Sequence, residues 1–225
     1  MRSQLEVGES MFRGIRKAYG WVLFICMFMS LTVGCTSEVS EDTSELRTNK
    51  ATQITVEPVD LFSGEGAKFK PFLGEMSGAV KLSYNGEQPN AALDIDIWQN
   101  GKKVSSQGSI GDLFLRSSGR ENREVEVIIS IDTLNIEAKD RYTVKVGTFN
   151  GTGSGLTTFT LPRNEKMTVH GLISESEERT FEAQGAVPIW GMQSTSSNMI
   201  QSANLSAESL NRLEWALVIT LRFKD

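Results

Sequence analysis

The sequence predicts an all-β fold, an antiparallel β-sandwich of immunoglobulin-like character with one short helix near the C-terminus. Three observations carry that reading. Apolar residues recur at every second position in several short runs, as in Val125, Val127, Ile129 and Ile131. Those runs are separated by Gly- and Asn-rich turns rather than by helical periodicity, which favours antiparallel neighbours over an α/β rhythm. They also follow one another at roughly 10 to 15 residues, the spacing of sandwich strands. The paired cysteines of antibody domains are absent, so the likeness is one of architecture.

Taken in order, Met76 to Tyr84 alternates with mostly apolar even positions and stops at Asn85-Gly86, a hairpin-type turn signal. Leu93, Ile95 and Ile97 then alternate with Asp94, Asp96 and Trp98 up to Asn100-Gly101, the strongest short hairpin signal in the chain. Lys102 to Val104 should return beside that strand. Asp112 to Arg116 reads as a weaker strand, with Ser117 to Asn122 as its turn. Tyr142, Val144 and Val146 make the next stripe, closed by the Gly-rich run from Asn150 to Gly155 and followed by Phe159 and Leu161. Ala186 to Met192 is a strand in which Pro188 marks an edge or a bulge. Leu205 to Leu213 is the one helix, with Ser206 as its N-cap. Trp215 to Phe223 is apolar on both faces and should be a central strand. Residues 52–74, with Phe62, Phe69 and Phe72, carry no clear period and leave open whether they pack on the sandwich or lengthen a tether.

The N-terminus has a different grammar. Arg13, Arg16 and Lys17 precede an apolar run that begins at Tyr19 or Trp21 and ends at Val33, the basic, apolar and small-residue parts of a secretory signal. That run falls short of the roughly 20 residues an ordinary spanning helix needs. Glu6 and Glu9 are foreign to such a leader, and a start at Met11 in place of Met1 would remove both. Leu31-Thr-Val-Gly-Cys35 resembles the lipobox of bacterial lipoproteins, with Thr32 standing where that motif usually has Leu. The resemblance implies that Cys35 is the lipidation site and becomes the mature N-terminus. It also implies that the protein is held on the extracytoplasmic face of the cell membrane by a lipid anchor. The organisation expected is a lipoprotein signal peptide over 1–34, a flexible polar tether over 35–53 and the sandwich over 54–225. As a coil, the tether would have a mean reach of roughly 25 Å. With its β-rich body and its closing Trp215-Ala-Leu-Val218, the chain is similar to small, uncharacterised surface lipoproteins of Gram-positive bacteria, a likeness that implies a place and a fold and carries no activity.

Charge and residue counts exclude several functions. Residues 1–34 hold four basic and two acidic side chains, leaving 19 basic against 26 acidic in the remainder. Such a surface lacks the basic stripe a nucleic-acid binder needs. Both cysteines, Cys26 and Cys35, fall in or at the end of the leader. The mature body therefore has no disulfide and no thiol for zinc or nucleophilic work. His170 is the sole histidine, which rules out a metal site of several imidazoles; a turn or strand role suits it better than catalysis. The run from Asn150 to Gly155 lacks the Lys and helix of a phosphate loop. No cofactor is expected.

One constellation stands out. Strand alternation puts Asp94, Asp96 and Trp98 in a row on one face, opposite Leu93, Ile95 and Ile97. Two carboxylates beside an aromatic plate suit a sugar or a hard cation, while the plainer expectation is a solvent-facing acidic strand. Glu175, Glu177, Glu178 and Glu182 form a second acidic cluster, expected in a solvated loop or edge. The functional expectation is a non-catalytic binding or envelope-accessory module with an unknown protein or cell-wall partner. An envelope hydrolase using acidic residues is the alternative.

Overall fold

Alternating side chains force each strand to present one apolar row, and two sheets bury those rows against each other. The computed structural model describes residues 51–114, 123–133, 141–151, 153–173 and 175–224. Among them eleven strands run β1 (Gln53–Val59), β2 (Ser77–Asn85), β3 (Ala91–Gln99), β4 (Lys102–Ile110), β5 (Glu124–Asp132), β6 (Arg141–Asn150), β7 (Gly153–Pro162), β8 (Val169–Ile173), β9 (Arg179–Glu182), β10 (Ala186–Thr195) and β11 (Trp215–Phe223). They form two antiparallel sheets, ordered β7-β6-β5-β2-β1-β9 and β4-β3-β11-β10-β8. The sandwich read from the sequence is the fold observed. Residues 1–50, with Cys35 and the expected leader and most of the expected tether, lie outside the described residues.

The inner faces supply the main core. Ile54, Leu82, Val127, Ile129 and Val144 from the first sheet meet Leu93, Ile95, Met192, Leu217 and Ile219 from the second, all essentially sealed from water. Each such side chain contributes about 1.5–3 kcal/mol on burial. Ring pairs bridge the sheets: Tyr142 and Trp215 lie 5.5 Å apart, and Phe181 meets Phe223 edge-on at 6.5 Å. β11 is the middle strand of its sheet, as its two apolar faces require. Its outer residues Ala216 and Val218 join a second apolar cluster with Ile173, Ala203, Leu205, Leu210 and Leu213, because residues 196–214 fold over that side of the sheet.

Local chemistry explains most elements. Asn100 and Gly101 take φ of 49° and 75°, the left-handed pair that a tight hairpin demands. Pro188 sits at a register shift between Pro188 and Trp190. β8 does not reach that far along β10, so the missing N–H of Pro188 costs nothing there.

Three expectations are corrected. Asn85-Gly86 is not a hairpin: β2 and β3 belong to different sheets, and the chain crosses between them. Asp112 to Phe114 is loop, not strand, because Asp112 has a left-handed φ of 57° that breaks extended geometry; Asp112 is exposed, and Leu113 and Phe114 are buried. Phe114 there packs edge-on against Tyr84. Arg116 and the turn 117–122 lie outside the described residues. The helix shrinks to one turn, Ala207–Leu210, capped by the Ser206 hydroxyl accepting from Ser209 N at 3.2 Å. The chain leaves it at once to place Leu213 in the outer cluster and begin β11. The stretch left open at 52–74 is in part a strand: residues 53–59 form a full strand of the first sheet, and 60–76 is a connection. It holds a 3₁₀ turn, Gly64–Phe69, and a helical turn, Lys70–Leu73, neither with a buried residue.

Candidate functional site

Asp94, Asp96 and Trp98 do share one face of β3, but that face is closed. Asp94 and Asp96 are 6% and 1% exposed. Arg222 on β11 clamps the Asp94 carboxylate through Nε and Nη2, at 2.5 and 3.0 Å. That bidentate bond holds the Asp94 pKa below its ordinary value, against the opposing effect of burial. Asp96 accepts from Thr220 Oγ1 at 2.8 Å and from Ser106 Oγ, and Lys103 Nζ lies 2.8 Å from the same Oδ2 that Thr220 reaches. Trp98 packs onto the outer apolar cluster, and its Nε1 is buried with no hydrogen-bond partner among the described residues. The solvent-facing acidic strand expected from the sequence is corrected to a buried ladder of ion pairs. Its carboxylate oxygens are engaged by donors within the protein.

The second acidic cluster is also put to structural use in part. Glu175 Oε1 accepts from Leu205 N at 2.9 Å and helps to seat the 196–214 segment. At the other end of that segment Glu214 accepts from Ser196 N, Ser196 Oγ and Thr195 Oγ1, which depresses its pKa. Among the described residues no group of three or more His, Cys, Asp or Glu is placed to hold a metal.

His170 stands on the inner face of β8. Its Nδ1 lies 2.7 Å from Ser194 Oγ, and its ring meets Tyr142 edge-on at 5.9 Å. Burial, assisted by the nearby Arg163 charge, pushes its pKa down, and the imidazole is neutral at pH 7. A hydroxyl beside a neutral imidazole is the beginning of a nucleophilic pair. Ser194, however, is 1% exposed, and no carbonyl can approach it.

The open part of the molecule lies where β1 ends and β2 begins. Register pairs Gln53 with Asn85 at one end of the first sheet and Val59 with Ala79 at the other. β9 pairs only with residues 53–56 of β1, so beyond Val56 the edge of the first sheet is uncovered. Facing it, β8 ends the second sheet. Between them lies a mouth of about 500 Å³ whose walls include Val56, Pro58, Val80, Leu172, Ile189 and Trp190, within the size range of ligand sites. Trp190 projects across the sandwich onto Gly78, where a Cβ would come 2.4 Å from its Nε1. Only glycine leaves space for the indole. Acidic side chains ring the entrance: Asp60, Glu75, Glu175 and Glu177, against Lys70 and Arg179. Arg179 is partly occupied in donating to Pro188 O at 2.7 Å. A neighbouring cavity of about 620 Å³, reached past the 71–76 stretch, has His170, Lys145 and Thr133 among its walls. The connection 60–76 contributes to both cavities, and it carries Phe69 and Phe72, 49% and 85% exposed.

Sequence reading missed the mouth. Its signals were present but weak: an aromatic, aperiodic stretch at 60–76 and an uncharged strand at 169–173. No protein-family model, curated protein or solved structure matches the chain. Among the described residues no helix is long and apolar enough to cross a membrane.

Proposed function

We propose that this protein is a lipid-anchored, extracytoplasmic binding module, non-catalytic, that holds a protein or cell-wall partner at the inter-sheet mouth. The observation that carries the reading is the mouth itself: an apolar-walled recess of about 500 Å³ at the end of β1 remote from Gln53. The tether expected from Cys35 would join the domain at Gln53. Binding sites concentrate on loops and openings held by a rigid frame. The binding reading is preferred to the hydrolase alternative because Asp94 and Asp96, two of the acids that alternative would use, are engaged within the ladder.

Two experiments test it. Globomycin-sensitive processing with palmitate labelling, lost in Cys35→Ser, tests the anchor; an unlabelled chain that keeps its leader contradicts it. Proteins co-purifying from membranes of cells bearing wild type, Leu172→Lys and Asp94→Asn test the mouth. Leu172→Lys should lose the specific partner and Asp94→Asn should keep it; the reverse pattern sinks the assignment.

A further inference from the structure

We infer that the mouth takes an extended peptide segment, added as a sixth strand beside β8, with an apolar side chain inserted between the sheets and basic residues on either side. The inference rests on the binding reading above and specifies the occupant.

The four sheet edges differ in how they refuse a new strand. β4 carries Lys102 and Lys103 and has two register shifts along β3, both recognised edge defences. β9 is four residues long and bears Arg179 and Glu182. β7 is uncharged, but it ends at Pro162, and its Phe159 ring closes against Gly108 of β4. β8 reads Val-His-Gly-Leu-Ile, with no proline, no shift in its pairing and no ionised side chain, since His170 is neutral. Among the described residues no hydrogen bond reaches the backbone of Val169–Ile173 other than those of the β10 ladder. An edge of this kind templates strand addition.

Register tells where the added side chains go. Ile97, Leu217, Met192 and Leu172 form one row across the second sheet on its inner face. The next strand continues that row, and its residue opposite Leu172 points into the mouth near Pro58 and Trp190. Leu172 is 38% exposed on this row. Past this position the segment runs along the entrance, where exposed Glu75, Glu177 and Asp60 outnumber Lys70 and Arg179. Charge complementarity therefore selects lysine or arginine at the flanks. It also disfavours this chain's own Glu-rich residues 36–46 as the occupant.

The test uses the full chain in phosphatidylcholine nanodiscs and a fluorescent capped peptide, Lys-Val-Lys-Leu-Lys-Val-Lys, with empty nanodiscs as the blank. The expected result is saturable binding that slows amide exchange at Val169–Ile173. Binding should weaken at least about tenfold in Leu172→Lys, and by a similar factor when Glu replaces every Lys of the peptide, while Asp94→Asn leaves it unchanged. Each tenfold step corresponds to about 1.4 kcal/mol. No binding, binding indifferent to Leu172→Lys, or exchange protection elsewhere on the domain overturns strand addition. Equal binding of the Glu peptide overturns the basic occupant. Protection of β8 that grows with protein concentration in the absence of peptide assigns the edge to a second copy and also overturns it. If the peptide fails while Leu172→Lys still removes the co-purifying partner, the mouth stands and strand addition falls; if neither responds, both fall.

Discussion

The outer face of the second sheet and the mouth at its β8 edge treat charge in opposite ways. On the outer face, Asp94 and Asp96 are buried and each is matched to a cation and to hydroxyl or guanidinium donors. At the mouth, the walls are apolar and the acids sit on the rim. Buried ionised groups persist when they are paired, and a paired group has little left to offer a ligand. Apolar surface left open, by contrast, retains its tendency to be covered. The conspicuous residues are therefore the structural ones, and the inconspicuous strand borders the opening.

Substitutions sharpen the contrast. The largest effect should come from Asp96→Ala, which leaves Thr220 and Ser106 without their buried acceptor and Lys103 without its counter-ion. A loss of about 2–4 kcal/mol is expected in urea unfolding, tempered because the Lys103 side chain is 44% exposed and can regain water. An unchanged midpoint would mean that the ladder is not a structural unit. Gly78→Ala comes next. Its Cβ must displace the Trp190 indole, costing about 1–3 kcal/mol, and it should narrow the mouth, so stability and partner retention fall together.

Acid stability separates the regions further. Asp94 has a folded-state pKa below its unfolded value. Between the two values the unfolded chain binds the proton and the folded chain does not, so stability is complete above about pH 5 and is lost as pH falls through the folded value. Asp94→Asn should flatten that acid limb, at a cost of about 1 kcal/mol near neutrality. The depressed pKa of His170 has the same sign in a higher window. Its contribution declines as pH falls below about 6.5, and His170→Gln should remove that part of the slope. Smallest of all is Leu172→Lys, which should move the unfolding midpoint by no more than about 0.5 kcal/mol because Leu172 is already 38% exposed. A large destabilisation there would make β8 a core strand rather than a receptive edge.

Strand alternation made the frame legible. Leu93-Asp94-Ile95-Asp96-Ile97 has its apolar row on the inner face, and Asn100-Gly101 makes the hairpin its dipeptide foretold. What alternation does not encode is which side of a strand stays wet. Asp94 and Asp96 are turned from an open face into a buried one by Arg222 and Thr220, more than 120 residues away along the chain. The same holds for Asn85-Gly86, whose turn chemistry fits a reversal although the next strand lies in the other sheet. The mouth exists because β9 is too short to cover β1 beyond Val56, a matter of strand length that no local pattern declares.

The most direct test places a photo-reactive benzoylphenylalanine at Leu172, in the mouth, or at Val104, exposed on β4 beside Lys103 of the ladder, and irradiates intact cells. A discrete adduct from position 172 with none from position 104 is the expected result. A discrete adduct from 104 with none from 172 would contradict the account and return function to the ladder side of the second sheet.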